Sequence, residues 1–229
     1  MTLKDEITKN ASDAFQRAWD ITDGRVVPKT DDIGLGNVGR KLDATVLYAD
    51  LADSTEMVRG KKAAFSAEVY KTYLYAASRL ITASGGTVSA FDGDRVMGVF
   101  IGGSKNSNAV RCALKINWVV QNVLQAELQK QYRKSTFRIE QKVGIDASEI
   151  LVARTGIRGS NDLVWVGNAA NNAAKMAALD LECRTYISSA VYGRIAADAK
   201  FSDGKDMWKN LGAKDLGYTV YGSTFWWPI

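Results

Sequence analysis

An α+β fold is predicted by three observations on the 229-residue sequence. From residue 44 onward, strand-like and helix-like segments follow one another as β-α-β-β-α-β. The middle pair of strands, TVSAF and RVMGVFI, flanks Asp92-Gly93, a two-residue hairpin signal. Past the sixth element the chain adds another helix and several short strands. This order is the ferredoxin-like βαββαβ arrangement with an α/β extension.

Each element follows from its local pattern. Residues 3–20 read as a helix, because Leu3, Ile7, Ala11, Phe15 and Trp19 recur every four residues, with Ala14 and Ala18 beside them. Thr22 to Leu42 is interrupted by Gly24, Pro28, Gly34, Gly36 and Gly39 and reads as a loop. Its GLGNVG matches a dinucleotide-binding fingerprint letter for letter, but that fingerprint must follow a strand and open a helix. Here TDDI precedes it and a strand follows, so the segment is a turn. ATVLYA (44–49) is an apolar strand. A helix from about Ser54 to Thr82, with a break near Gly60, shows Phe65, Val69, Tyr73, Ala76 and Leu80 on its inner face and ends at Gly85-Gly86. A second long helix, from about Asn106 to Tyr132, carries Ala109, Ala113, Ile116, Val120 and Val123 at helical spacing. FRIEQKVGID and EILVAR read as the next strands. LVWV, a helix from about Asn168, the strand TYIS and a tail of short strands ending in GYTVYGSTFWWPI complete the chain. Residues 1–42 are an N-terminal helix and glycine-containing loop, and 43–229 form a single domain.

Composition then limits the chemistry. Hydrophobic residues at 46% and charged residues at 24% give the balance of an ordinary globular domain. No apolar run approaches the roughly 18 residues of a membrane helix, and MTLKDEITKN lacks the apolar core of a secretory signal, so no membrane partner and a cytoplasmic address are expected. Histidine is absent, which excludes Ser-His-Asp and Cys-His nucleophilic sites and imidazole-held zinc. Cys112 and Cys183 are too few for a four-thiolate site and read as plain buried thiols. Any metal must be held mainly by oxygen, which points to Mg²⁺ or Mn²⁺. A net charge of +5 suits an anionic partner. Lys and Arg are scattered, however, with the longest cluster at Arg59 to Lys62, so no nucleic-acid groove is expected.

Two carboxylates carry the chemistry. Asp50 directly follows the first strand and Asp94 directly follows the Asp92-Gly93 turn. In a β-α-β-β sheet the first strand lies beside the hairpin, so the strand end and the hairpin turn meet at one edge. The carboxylates converge there, as two-metal phosphoryl transfer requires. Either residue alone would read as a turn or cap residue. After Asp50 the chain continues LADSTEMV, where Asp53 or Ser54 can cap the next helix and leave N–H groups free for a triphosphate.

At these residues the chain resembles the class III nucleotidyl cyclases. ATVLYADLADST is similar to their first metal motif, GGTVSAFDGDRVMGVF to their hairpin motif, KVGIDASEILVARTG to their next strand pair, and VGNAANNAAKMA to their asparagine-bearing helix. The four motifs stand in the family's order across about residues 43 to 190. The resemblance implies two divalent ions, Mn²⁺ or Mg²⁺, held by Asp50 and Asp94 with the carbonyl of Leu51. It implies a nucleoside triphosphate substrate lying along Leu51, Ala52, Asp53, Ser54 and Thr55. Asn171 matches the residue that orients the ribose, and Lys175 stands where the family usually has its transition-state arginine. Positions 171 and 175 are i and i+4, on one helix face. Lysine there loses the planar fork of arginine but keeps the positive charge.

The base-reading positions depart from the family's pattern. Four residues before Asp94 stands Ala90, and three before Gly167 stands Val164. Neither can hydrogen-bond a purine edge, unless a one-residue bulge brings Trp165 or Asp162 into the second slot. The short stand-alone chain and its aromatic-rich tail resemble the pyrimidine cyclases of bacterial Pycsar antiphage defence. That likeness implies UTP, or CTP, as substrate and a cyclic mononucleotide messenger as product. In the family the metal aspartates and the asparagine helix of one site come from different subunits, which implies a head-to-tail homodimer with shared sites. A purine cyclase with an unusual pocket is one alternative. A cyclase-like domain that binds nucleotide without turnover is another, and the retained pair Asp50 and Asp94 argues against it.

Overall fold

A computed structural model describes residues 1–214 and 216–229. The chain runs through α1 (Leu3–Gln16), β1 (Asp20–Asp23), β2 (Val38–Leu51), α2 (Ser54–Gly60), α3 (Ala63–Ala83), β3 (Thr87–Asp92) and β4 (Arg95–Ile101). It continues through α4 (Lys105–Val119), a π-helical turn (Val120–Leu124), α5 (Gln125–Gln131), β5 (Gln141–Ile157), β6 (Ser160–Val166), α6 (Asn168–Ala177) and β7 (Thr185–Ser188). The short elements α7 (Ser189–Tyr192), α8 (Ala197–Lys200), β8 (Phe201–Ser202), β9 (Lys205–Asp206), β10 (Lys209–Asn210) and β11 (Val220–Ser223) follow.

The order β5-β2-β4-β3, antiparallel throughout, is the ferredoxin-like arrangement expected from the sequence. The extension adds β7 parallel to β5, then β11 and β10. β2 is covered on both faces, which is why it reads as a nearly unbroken apolar run. Leu47, Ala49 and Leu51 pack with α3 and α4 in one cluster. Ala44 and Val46 point the other way, into a second cluster with Ile33 and with Ala169, Ala170 and Ala173 of α6. The alternation of side chains along the strand therefore puts Asp50 on the α6 side of the sheet, with Tyr48 and Val46.

Several expectations need correction. The segment from Thr22 to Leu42 is not all loop: β1 pairs with Val38–Lys41 of β2, so the boundary drawn at residue 42 falls inside a strand. Long-range pairing along Gly39–Ala153 holds these residues extended despite their glycines. Of GLGNVG, Gly34–Asn37 are irregular, as a turn should be, while Val38 and Gly39 already belong to β2. The first helix ends at Gln16, before Trp19, and none of its residues is buried. Its Thr2–Asp5 capping box stabilises the start locally, without help from packing. On α3 the inner face follows a strict four-residue step, Phe65, Val69, Tyr73, Ala77 and Ile81, so Ala76 and Leu80 sit one position off the buried stripe. The long helix after residue 105 buries Ala109, Ala113, Ile116 and Val120 as expected, while Val123 is only half-buried. Of the two strands read in residues 137–154, residues 137–140 lie in no strand and the rest is one continuous strand, β5.

Candidate active site

The hairpin loop sits one residue later than the sequence reading placed it. Asp92 pairs with Arg95, so the two-residue loop is Gly93-Asp94. Gly93 takes φ 62, the positive value that a first central glycine supplies in a type II′ loop. Asp50 of β2 lies across from Arg95, which brings the loop carboxylate of Asp94 beside it. Both aspartates are half-buried.

Burial, and then the negative charge of Asp94, push the Asp50 carboxyl up to about 6. The guanidinium of Arg95 opposes this, but it is engaged by Asp92 in a salt bridge. A pair of carboxylates crowded in this way is under-compensated, and a divalent cation between them would relieve the repulsion. Among the described residues, no cluster of three or more His, Cys, Asp or Glu is placed to hold a metal ion. The donor set at this edge is thus two carboxylates and main-chain oxygen, which fits Mg²⁺ or Mn²⁺.

The turn after Asp50 carries a strained residue. Asp53 is left-handed at φ 54, ψ 26, a conformation that costs a non-glycine residue free energy. It stands at the N-cap of α2 but makes no side-chain capping bond, so the capping expected of it is not made and the first-turn N–H groups of Ser54 and Thr55 lack that partner. Asp50, Leu51, Ala52 and Asp53 line a small cavity of about 190 Å³ together with Lys142, Ala177, Ala178 and Asp180. Ala52, Asp53 and Lys142 also line a larger cavity of about 850 Å³, whose wall carries Arg184, Lys209 and Lys214 together with Glu140, Asp180, Glu182 and Asp206.

Lys142 is a site residue that sequence reasoning missed. It lies directly across from Asp50 in the β2–β5 ladder. Its Nζ donates to the Leu179 carbonyl at 2.6 Å and to Asp180 at 3.2 Å. The only signal in the sequence was a lysine inside an apolar strand, QKVGI. Tyr48 was missed as well. It sits two residues before Asp50 on the same sheet face, and burial raises its phenol while Arg95 lowers it.

The structure separates the other expected residues from the carboxylates. Asn171 and Lys175 lie one turn apart on the exposed face of α6, and neither lines the cavity beside Asp50. Ala90 packs half-buried with Tyr48 and Trp165 on the second cluster. Val164 is 39% exposed on the opposite face of β6. β6 pairs with β5 in unbroken register from Leu151–Val166 to Ile157–Ser160, so the bulge that would have moved Trp165 or Asp162 into the slot of Val164 is absent. The irregularity lies instead in β3, between Val88 and Ala90. Trp165 keeps its own side of the strand, with Nε1 buried and unpartnered. Cys112 and Cys183 are free and buried, as expected, and burial pushes the Cys112 thiol up to about 12.

Comparison with known proteins gives a consistent picture. The chain is 46% identical to a uridylate cyclase of Xanthomonas perforans and 45% identical to one of Burkholderia cepacia, over the full length of both partners in each case. A uridylate cyclase of Rhodovulum sp. (strain MB263) is 34% identical over 99% of this chain and 98% of its own. Among solved structures, an adenylyl cyclase from P. aeruginosa superposes with a TM-score of 0.66 at 20% identity, covering 81% of this chain and 95% of its own. A guanylyl cyclase superposes with a TM-score of 0.67 at 18% identity, covering 82% and 95%. No protein-family model matches the chain.

Proposed function

Because the chain belongs to the family of these uridylate cyclases and is a nucleotidyl cyclase of class III fold, we propose that it converts UTP to 3′,5′-cyclic UMP and pyrophosphate. The observation that carries the choice of UTP is the full-length identity of 45–46% to two proteins of that name. In the reaction the ribose 3′-oxygen loses its proton and bonds the α-phosphorus. The bond from that phosphorus to the β-phosphate oxygen breaks, and pyrophosphate leaves with the electron pair.

Asp50 and Asp94, with the Leu51 carbonyl, are the groups that would hold two divalent ions. Bound there, such ions supply activation of the 3′-hydroxyl and neutralise charge on the α-phosphate. Lys142, Arg184, Lys209 and Lys214 are the cations that the two adjoining cavities offer a triphosphate beside the Ala52–Thr55 turn, among acidic neighbours that include Asp53 and Asp180. Asn171 orients the ribose, and Lys175 places a point charge on the phosphate in the transition state. Since both stand on an outward face, we assign them to the site of a second copy of the chain, in a head-to-tail homodimer. Ala90 and Val164 offer a purine no hydrogen-bonding partner, whereas Tyr48 and Arg95 have that capacity on the carboxylate side. A cytoplasmic address and a messenger role in antiphage defence belong to the same proposal, and the messenger role rests on the resemblance of the sequence. Among the described residues, no helix is long and apolar enough to cross a membrane.

The test is a competition. Purified protein receives ATP, GTP, CTP and UTP at equal concentration with Mn²⁺ or Mg²⁺, and products are identified by mass. Cyclic UMP should dominate. A dominant cyclic AMP or cyclic GMP would overturn the pyrimidine reading, and no cyclic product with either metal would overturn catalysis itself.

A further inference from the structure

Alternate residues of β5 hold α6 along its whole length. Ser148 Oγ accepts from the Ala169 N–H in the first turn at 3.0 Å. Asp146 accepts from Asn172 Nδ2 at 2.8 Å. At Gly144 the strand touches the helix so closely that a Cβ would lie 2.0 Å from the Ala173 carbonyl oxygen. Lys142 donates to the Leu179 carbonyl just past the helix end. Positions 142, 144, 146 and 148 share one strand face. Their ladder partners on β2 are Asp50, Tyr48, Val46 and Ala44. The helix is thus held in register with the strand that carries the metal aspartate.

Three of these contacts involve helix or post-helix backbone and fix how far α6 stands from the sheet and where it lies along it. The Asp146–Asn172 bond joins two side chains and adds its own restraint on the rotation of α6 to that of the helix's buried alanine stripe. Asp146 is 4% exposed, and its second oxygen accepts from Ser188 Oγ. No cation among the described residues pairs with it, so two neutral donors carry the solvation of a buried carboxylate. Such charge-assisted bonds are stronger than neutral ones. Asn172 is half-buried, while its neighbour Asn171 and Lys175 face outward. A small turn of the helix would swing both away from a substrate they must reach.

We propose that Asp146 is a positioning residue of the cyclase. Through Asn172 it sets the rotation of α6 and so aims Asn171 and Lys175 at the site completed by the partner copy. This rests on the shared-site reading given above.

The experiment uses the full chain with Asp146→Ala, Asn172→Ala and Asp146→Asn. The two alanine variants should lower kcat about 10- to 50-fold while KM for the nucleotide stays within about threefold, the mark of a lost transition-state contact. Asp146→Asn should keep activity within about threefold, because its Oδ1 still accepts from Asn172 and its Nδ2 can donate to Ser188. If Asp146→Ala does not fold, Asn172→Ala, at a half-buried position, carries the test. Mixing supplies a second readout that general destabilisation would not produce. Asn172→Ala should be rescued by Asp50→Ala, whose helix is intact, and not by Asn171→Ala, which damages the same half. Wild-type kcat in Asn172→Ala, or rescue by Asn171→Ala but not by Asp50→Ala, would overturn the proposal. The control mixture of Asp50→Ala with Asn171→Ala tests the shared site separately. If that control fails while Asn172→Ala still lowers kcat and spares KM, the positioning role stands and acts within one chain.

Discussion

The tip of the β2–β4 ladder and the outer face of α6 are built on opposite principles. At the tip, two half-buried carboxylates are brought together by strand register, and burial, then the charge of Asp94, pushes the Asp50 carboxyl upward. On α6, the buried side is a stripe of alanines and methionine seated on β5, while Asn171 and Lys175 stand exposed on the outer face. In the shared-site proposal, the first region supplies the carboxylates of a site and the second supplies its cation and amide. Each is intelligible as half of an arrangement that two copies complete.

Substitutions separate the two regions by the size and kind of their effects. The largest effect belongs to the tip. Asp50→Ala or Asp94→Ala should reduce turnover about 10³-fold or more in a steady-state assay, with the thermal midpoint unchanged or raised, because the carboxylates serve charge stabilisation and not packing. Next comes the helix face, where Lys175→Ala should lower kcat about 10²-fold, in line with loss of one preorganised charge contact. Gly144→Ala should act differently from both. Its new Cβ must displace α6, so stability should fall by about 1–3 kcal/mol in chemical denaturation, together with activity.

A pH series sharpens the account of the tip. The folded value of Asp50, about 6, lies above its ordinary value of 3.8, so ionising it opposes folding. The stability it contributes is present in full below about pH 4 and is lost as pH rises through 6. In metal-free protein, Asp50→Asn should therefore be more stable than wild type above pH 6, with the difference vanishing below about pH 4 in denaturant titrations. The smallest effect is expected from Lys175→Arg, which restores the family's usual residue and should change kcat by less than about fivefold.

The sequence made the tip legible and left much of its surroundings obscure, for physical reasons. Asp50 and Asp94 could be paired because a strand end and a hairpin turn meet in βαββ topology whatever the details. The loop register was off by one because Asp92-Gly93 and Gly93-Asp94 are both good turn dipeptides, and the deciding Asp92–Arg95 pairing is a contact between strands. β5 read as two strands because Asp146 and Ser148 interrupt its apolar run. They are polar because they bind α6, which no local pattern reveals. Lys142 gave no local sign beyond a lysine inside an apolar strand, and only the strand register sets it opposite Asp50. Val38–Lys41 were hidden among glycines because their pairing is non-local. The first helix, by contrast, was visible from its four-residue period although its apolar stripe buries nothing within the chain.

In the shared-site proposal, one site draws on both regions, each from a different copy. Mixing inactive Asp50→Ala with inactive Asn171→Ala, with subunit exchange confirmed by mass spectrometry of differently tagged chains, tests it directly. Random assortment makes half of the dimers mixed, each with one complete site of two, so about a quarter of wild-type specific activity should return. Activity that stays at the level of the two inactive parents, in a sample shown to contain the mixed dimer, would contradict the account.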